Sequence, residues 1–420
     1  MKPEIKLRPY QNEAIERALW SIEKFDNNSL IVMPTGAGKS LIISGIADAL
    51  QKEILILQPS KEILEQNVNK LKLYVPEDEI GVYSASMKRK EINKYNFATI
   101  QSIYKVPELF NHIGLVLVDE AHTVDPKRKN SMFTSFLHNI GSPITIGLTA
   151  TPFRNVPSYF KNEDGNKEYA MMTKLINRMN PRLWNRISYN INNHELVEAG
   201  YLTRLRYFDR SVLSHERIPL NKSGTDYDLM RFSKMFEPYE TQILDSIYKA
   251  QPHRRSILVF CSSVEQARRF SKAIDGSEYV SGETPINERD RIINGFKDGS
   301  IKVVFNMGVL TTGFDCPELD CIYLLRPTKS LGLYYQMLGR GVRTADGKSD
   351  CYVLDYSGSC LELGAIEDIV LRQEGNLWEL YANGEKMHNK VVYEREVNFV
   401  RGKYTPRPPT IEENFRLTPP

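Results

Sequence analysis

Cysteine is scarce in this chain. The 420 residues hold five, an odd number, and no two have Cys-x-x-Cys spacing. That argues against a disulfide framework and points to a reducing compartment. Cys316/Cys321 and Cys351/Cys360 lack zinc-finger spacing and are expected to be buried thiols rather than metal ligands. Excess charge is missing too. Fifty-five Lys and Arg face 52 Asp and Glu, a net of +3, so the chain is not a globally basic nucleic-acid binder. No apolar run is long enough to span a bilayer, and no membrane partner is expected. The first six residues have no apolar core and do not read as a signal peptide. The expected location is therefore the cytoplasm, either of the producing cell or of a phage host.

What is present is ordinary for a globular protein: 41% hydrophobic and 25% charged residues. The length predicts two domains, each large enough to bury a core. The basic residues are clustered, at Lys88-Arg89-Lys90, Lys127-Arg128-Lys129, Arg204/Arg206/Arg210, Arg254-Arg255 and Arg268-Arg269. Each cluster alone reads as a solvated face. Together they could line a path for a phosphate backbone.

One stretch organises the rest: Val32-Met33-Pro34-Thr35-Gly36-Ala37-Gly38-Lys39-Ser40. An apolar run precedes it, and Ile42, Ile43, Ile46, Ala49 and Leu50 follow at helical spacing. Strand, glycine-rich turn and helix start together make an anion site. Backbone N–H groups face one anion, and the helix start adds partial positive charge. Lys39 adds a full charge, and the Ser40 hydroxyl suits Mg²⁺. The strict motif has Gly where this chain has Met33. Ahead of the cradle, Leu7-Arg8-Pro9-Tyr10-Gln11 opens an amphipathic helix. A glutamine amide can pair with an adenine edge, although Gln11 alone reads only as a polar residue at a helix start.

Further on, Leu115-Val116-Leu117-Val118 runs into Asp119-Glu120-Ala121-His122. A buried parallel strand thus delivers carboxylates to its C-terminal edge, where open α/β sheets bind ligands. Asp119 is expected to hold Mg²⁺, and Glu120 to orient and deprotonate an attacking water. Thr149-Ala150-Thr151-Pro152 ends the next strand, where two hydroxyls could sense the Asp119–His122 turn. Turn chemistry would explain them equally well. Pro59-Ser60-Lys61 and Thr99-Ile100-Gln101 follow other strands, either as phosphate-backbone contacts or as helix caps.

In these four stretches (Arg8–Gln11, Pro34–Ser40, Asp119–His122 and Thr149–Pro152) the chain resembles the superfamily 2 helicases and translocases of the DEAH-box type, in the family's order. The family tolerates a residue such as Met33 before Pro-Thr-Gly. The resemblance implies nucleotide contacts by Arg8 and Gln11, with Gln11 reading adenine. It also implies coupling roles for His122, Thr149 and Thr151.

The middle of the chain carries no nucleotide motif. Residues 162–166, Asn-Glu-Asp-Gly-Asn, predict a hairpin turn that is either a strand-separating wedge or a surface excursion. Residues 229–250 have helical spacing and are expected to connect the lobes. From residue 256 strand–helix alternation resumes without a second cradle. Arg340 and Arg343, three apart, could point at one target from a helix and stabilise charge on a transferring phosphoryl group. The resemblance continues here through Val259–Ser263, Thr311-Thr312-Gly313-Phe314-Asp315 and Gln336–Arg343. It implies nucleotide contacts by Gly313, Asp315 and Gln336, and nucleic-acid contacts by Ser262, Ser263, Thr311 and Thr312. Within the superfamily, Val353-Leu354-Asp355-Tyr356-Ser357-Gly358 and the preceding Gly339-Arg340-Gly341 look like the RadD-like, restriction-motor-like and phage UvsW-like branch, without the zinc module of RadD-like proteins.

The expected fold is α/β: two RecA-like parallel-sheet lobes in tandem, ATP and Mg²⁺ in the cleft between them, and a short C-terminal β or extended tail. The expected bounds are 1–152, 153–255 (connecting region), 256–365 and 366–420 (Asn383-Gly384 hairpin and proline-rich end). The last segment is too short for a nuclease domain. The expected function is a monomeric ATP-dependent DNA helicase or translocase acting on branched DNA. A motor subunit partnering a separate nuclease or modification protein stays open, as do a recombination protein as partner and RNA as the track.

Overall fold

The computed structural model describes residues 6–25, 27–125, 131–161, 165, 167–222, 224–311, 314–389 and 391–394. Lys127-Arg128-Lys129, four of the five residues of the 162–166 turn, Thr312, Gly313 and the proline-rich end lie outside them.

Lobe 1 begins with helix α1 (Pro9–Phe25), β1 (Ser29–Val32), α2 (Lys39–Leu50), β2 (Ile54–Leu57), α3 (Lys61–Leu71), β3 (Ile80–Ser84), β4 (Arg89–Lys90), β5 (Tyr95–Ala98) and α4 (Ile100–Ile103). It continues with β6 (Leu115–Asp119), α5 (Met132–Asn139), β7 (Ile144–Thr149), the antiparallel pair β8 (Phe153–Lys161) and β9 (Lys167–Leu175), and β10 (Arg186–Asn190). Its sheet runs β10-β1-β7-β6-β2-β5-β3-β4, parallel throughout except for β4. Strands β1, β2, β5 and β6 are buried at every position, as continuous apolar runs between two helical layers must be.

After α6 (Asn193–Glu198) the chain enters lobe 2. Its elements are β11 (Arg204–Asp209), α7 (Leu229–Phe236), α8 (Glu240–Ala250), β12 (Ile257–Phe260), α9 (Val264–Ala273), β13 (Ser277–Ser281), α10 (Ile286–Asp298), β14 (Val303–Met307), β15 (Cys321–Leu324), α11 (Leu331–Leu338), β16 (Asp350–Asp355) and α12 (Ser359–Leu363). The sheet is all parallel, in the order β11-β16-β15-β12-β14-β13. The fold is the expected pair of RecA-like lobes.

The expected bounds need correction. Residues 153–255 are not a separate connecting region, because β10 pairs with β1 in the first sheet and β11 with β16 in the second. The chain crosses between lobes at residues 191–203. Residues 229–250 are not an inter-lobe helix either. They break at Glu237-Pro238-Tyr239, and Phe232, Phe236, Tyr239, Ile243 and Ile247 pack with Val259, Phe305 and Tyr323 on lobe 2. Proline ends the first helix because it lacks the N–H and clashes with the preceding turn.

The C-terminal segment is not a free tail. Strands β17 (Val370–Glu374), β18 (Leu377–Ala382) and β19 (Glu385–Lys386) form an antiparallel sheet. Its expected turn is present, with Asn383 and Gly384 at φ 48° and 76°. Strand β20 (Val391–Glu394) then pairs with β9 of lobe 1. The Asn192 amide Oδ1 accepts from Leu371 N at 2.9 Å, and Arg178 Nη1 donates to Glu379 Oε1 at 3.0 Å. The segment is a strap from lobe 2 back to lobe 1.

One anchor of the strap titrates. Leu175 N donates to His388 Nδ1 at 3.1 Å, so that nitrogen must be unprotonated. Burial, with Arg178 and Lys174 nearby, pushes the His388 pKa down to about 4. The contact is therefore present above the ordinary histidine pKa of about 6.5 and is lost as the pH falls toward about 4. Hydrogen exchange should show the Leu175 amide losing protection between pH 6.5 and 4, and a His388→Ala variant should lack that protection at pH 7.

Candidate active site

Gly36 and Gly38 sit at φ +84° and +86°, a conformation that L side chains rarely adopt, and Lys39 opens α2 directly afterwards. The turn therefore curls its N–H groups inward at a helix start. Met33 is fully buried and its N–H donates to Thr149 O at 3.0 Å, so the missing glycine is a core side chain. Two residues of α1 hold the turn from behind. Tyr10 Oη and Gln11 Nε2 both donate to Ala37 O, at 2.9 and 3.0 Å. Gln11 Oε1 accepts from Arg8 N at 2.9 Å. Both ends of the Gln11 amide are thus engaged within the chain, and the residue expected to read adenine here braces the cradle.

At the end of β6, Asp119 is 6% exposed. Its Oδ1 accepts from Glu120 N at 2.9 Å and its Oδ2 from Asn67 Nδ2 at 3.0 Å. Burial and the adjacent Glu120 charge push the Asp119 pKa up to about 6, while Lys39 and Asn67 oppose the shift. Burial also acts to raise the Glu120 pKa. Lys39, His122 and Arg340 outweigh it and hold this carboxyl below its ordinary value. Glu120 sits at φ 49°, ψ 50°, a strained place for a non-glycine residue and a recurrent one at functional sites.

Asn67 escaped the sequence reading. Its signal was there: it lies on the buried face of α3 with Leu64, Val68 and Leu71, where a polar side chain needs a reason. With Asp119 as the expected Mg²⁺ ligand, Asn67→Ala should weaken metal binding by about 10–100-fold, the usual effect of removing a group that orients a metal ligand. Titrating Mg²⁺ into the variant with nucleotide present would show it as a shifted midpoint at unchanged maximal turnover.

His122 links the lobes. Its Nδ1 lies 2.9 Å from Thr149 Oγ1 and 3.3 Å from Glu120 Oε2, and its Nε2 lies 3.1 Å from Gln336 Nε2 on α11. An amide N–H₂ only donates, so His122 Nε2 must accept and the proton sits on Nδ1. Burial lowers the His122 pKa, with Lys39 and Arg154 adding to the effect, which favours this neutral form. Thr149 Oγ1 also accepts from Thr151 N at 3.0 Å. Thr149 thus meets the Asp119–His122 turn, whereas Thr151 reaches it only through its N–H on Thr149.

From lobe 2, Arg340 and Arg343 converge, but not from a helix. α11 ends at Leu338, Gly339 caps it, and both arginines lie on the loop beyond. Arg340 Nη1 donates to Phe314 O at 2.7 Å, Arg343 Nη1 donates to the same oxygen at 3.3 Å, and Arg343 pairs with Asp315. Burial and Arg343 push the Arg340 pKa down to about 10, so it stays cationic at neutral pH. The arginine loop sits on the cradle. A Cβ on Gly339 would come 3.0 Å from Thr35 Cβ, and one on Gly36 would come 3.3 Å from Arg343 Cγ. Neither lobe alone contains the full set.

Two family models match in tandem. One, described as "Type III restriction enzyme, res subunit", covers residues 4–154. The other, "Helicase conserved C-terminal domain", covers residues 240–345. The chain belongs to superfamily 2 of the helicases. A Saccharomyces cerevisiae relative, IRC3, whose name is that of an ATP-dependent helicase, is 26% identical over 84% of this chain and 52% of its own length. The DNA 3'-5' translocase XPB2 of Sulfurisphaera tokodaii is 23% identical over 82% of this chain and 80% of its own. This chain spans about half to three-fifths of the first curated relatives it matches. Among solved structures, a fragment described as an HsdR subunit of a type I restriction enzyme from Vibrio vulnificus superposes with TM-score 0.65. It is 21% identical and covers 86% of this chain and 66% of its own, a likeness of fold.

In this superfamily 2 chain the expected nucleic-acid residues all follow C-terminal ends of parallel strands: Pro59, Ser60 and Lys61 after β2, Thr99 and Gln101 after β5, Ser262 and Ser263 after β12, Thr311 after β14. Several side chains have local partners, however. Ser60 caps α3 by accepting from Ile63 N, and Lys61 lies 3.6 Å from Glu65. Thr99 Oγ1 is 2.9 Å from Ser102 Oγ. Ser263 caps α9, and the buried Ser262 donates to Gln266 Oε1 at 3.0 Å. Ser60 acts as the cap that its place allowed, while Gln101 is exposed and Thr311 half-buried.

Proposed function

We propose that this superfamily 2 chain is an ATP-dependent DNA translocase or helicase, monomeric and cytoplasmic, acting on branched DNA in recombination or repair. The observation that carries it is the seating of the lobe 2 arginine loop on the lobe 1 cradle, with Gly339 against Thr35. A site split this way couples the state of a triphosphate to the separation of the lobes.

Lys39 and the cradle N–H groups hold the phosphates, and Arg8, Thr35 and Gln336 flank them. Mg²⁺ takes one or two protein oxygens and completes its shell with water and phosphate, a set that Asp119 and Ser40 supply. Among the described residues no group of three or more His, Cys, Asp or Glu forms a metal cage, which suits an ion carried by the nucleotide. When bound, Mg²⁺ neutralises phosphate charge. Glu120 then orients a water and takes its proton. Arg340 and Arg343 stabilise the charge that develops. The His122–Gln336 contact reports the outcome across the cleft, and closing and opening move the lobes along a strand.

The named activities of IRC3 and XPB2 support an ATP-driven motor, and the latter name supports DNA. The restriction-subunit description of the matching family favours a second reading, a motor that serves a separate nuclease. ATPase rates with single-stranded DNA, duplex DNA, a four-way junction and RNA test the proposal. Strongest stimulation by the junction is expected, and stimulation by RNA alone would overturn it. Unwinding by the isolated chain separates the first reading from the second.

A further inference from the structure

Just past the arginine loop the chain doubles back, and a lysine returns to it. Gly347, at φ +69°, makes the turn. Arg255 holds it from outside, with Nη1 donating to Asp346 O at 2.7 Å and to Glu318 Oε2 at 2.6 Å. Lys348, half-buried, then donates from Nζ to three backbone carbonyls: Arg343 O at 2.6 Å, Gly341 O at 2.8 Å and Pro317 O at 3.0 Å. Two of these belong to the arginine loop. The third ends the stretch 314–317, where Phe314 O takes both guanidiniums and Asp315 pairs with Arg343.

The arginine loop needs donors from elsewhere. α11 has ended at Leu338, so the carbonyls beyond it have no helix to bond into. Gly341 lies directly on the sheet, where a Cβ would come 2.6 Å from Cys351 Sγ and 3.0 Å from Ile322 Cδ1. Thr203, on the crossing between the lobes, supplies two bonds. Its N–H donates to Val342 O at 2.7 Å and its hydroxyl to Arg343 O at 2.9 Å. Beside it, Leu202 is buried against the cradle, where a Cβ on Gly36 would come 3.2 Å from its Cδ2. Lys348 supplies the rest. Three acceptors around one nitrogen match an ammonium, which has three donors, and not a neutral amine, which has two.

We propose that the Lys348 ammonium clamps the arginine loop to residues 314–317 and so positions Arg340 and Arg343 for phosphoryl transfer. The proposal rests on the reading of the chain as an ATPase. Lys348 is a positioning residue in it, acting through the two arginines.

The test uses the full chain. Lys348→Met keeps most of the side chain and removes all three donors. Its nucleic-acid-stimulated kcat should fall about 10–100-fold, the scale of a misplaced reacting group. Its direct binding of ADP should stay within about twofold of wild type, because the cradle belongs to the other lobe. Hydrogen exchange should quicken in residues 339–343 and 314–318, while β12 and β14 keep their protection. An unchanged kcat would overturn the proposal, as would unchanged exchange in the two loops or a parallel loss of ADP binding. Where Lys348→Met also loses protection in β12 and β14, Lys348→Gln decides, since it retains two N–H donors. Its kcat should fall several-fold with both strands protected, and an unchanged kcat or a second loss of protection would overturn the proposal. The ATPase reading falls separately, if wild type hydrolyses no ATP with any nucleic acid present, and the exchange readout still reports on the clamp.

Discussion

Glu120→Gln should bind nucleotide like wild type and turn it over about 10²–10⁴-fold more slowly. Glutamine keeps the length and one carbonyl oxygen of the side chain, but it cannot take a proton from water. The wild-type carboxylate is ready for that step. Lys39, His122 and Arg340 hold its pKa below the ordinary carboxylate value against the effect of burial, so it is ionised at neutral pH. The hydrogen bonds of His122, to Thr149 Oγ1 and to Gln336 Nε2, do not involve the Glu120 carboxyl. The lobe contact through Gln336 should therefore persist, and the variant should stay closed on ATP and remain tightly bound to nucleic acid. Steady-state ATPase rates beside ADP binding measure both parts. Turnover near wild type would remove Glu120 from the chemistry.

Arg340→Ala should lower nucleic-acid-stimulated kcat by about 10³–10⁵-fold, the range measured for arginines that complete a phosphoryl-transfer site. The side chain is 5% exposed and holds a carbonyl on each side, Phe314 O through Nη1 and Gln336 O through Nε. Removing it subtracts a cation that acts on Glu120 and, in the proposed mechanism, a donor for the developing phosphoryl charge. Arg340→Lys keeps the charge without the planar fork and should recover only a small part of the rate. ADP binding should change little in either variant, because the cradle and Lys39 belong to the other lobe. A parallel loss of binding and turnover would instead mean that Arg340 holds the loop in place. Thermal unfolding of the variants distinguishes a collapsed loop from a missing charge.

The two lobes and most of the site were legible in advance because their signals are local. A strand buried on both faces must be a short apolar run, as 115–118 is, and a triphosphate cradle must be glycine turns entering a helix. The elements that were misplaced have no such signal. β10 and β11 are edge strands with alternating or mixed burial, so even the strand-like run at 203–208 carries no local sign of which sheet it joins. That residues 391–394 dock on lobe 1 is not legible locally, because strand pairing with β9 depends on a partner more than 200 residues away. The helical geometry expected for Arg340 and Arg343 failed because Gly339 ends α11 first, and both meet at one carbonyl of their own lobe, Phe314 O.

By itself the sequence determined that this superfamily 2 chain has two α/β lobes, that one carries the phosphate cradle with Asp119 and Glu120, and that the other carries two arginines. Those features follow from turn conformation, strand burial and charge within a few residues. Only the tertiary structure decided that Gln11 bonds the cradle at Ala37, that Asn67 donates to Asp119, that His122 meets Gln336, and that Leu202 and Thr203 pack on the cradle and the arginine loop. Each of these rests on a hydrogen bond or side-chain contact between residues distant in the chain. Such a contact exists only once packing has excluded water and left a polar group with one available partner.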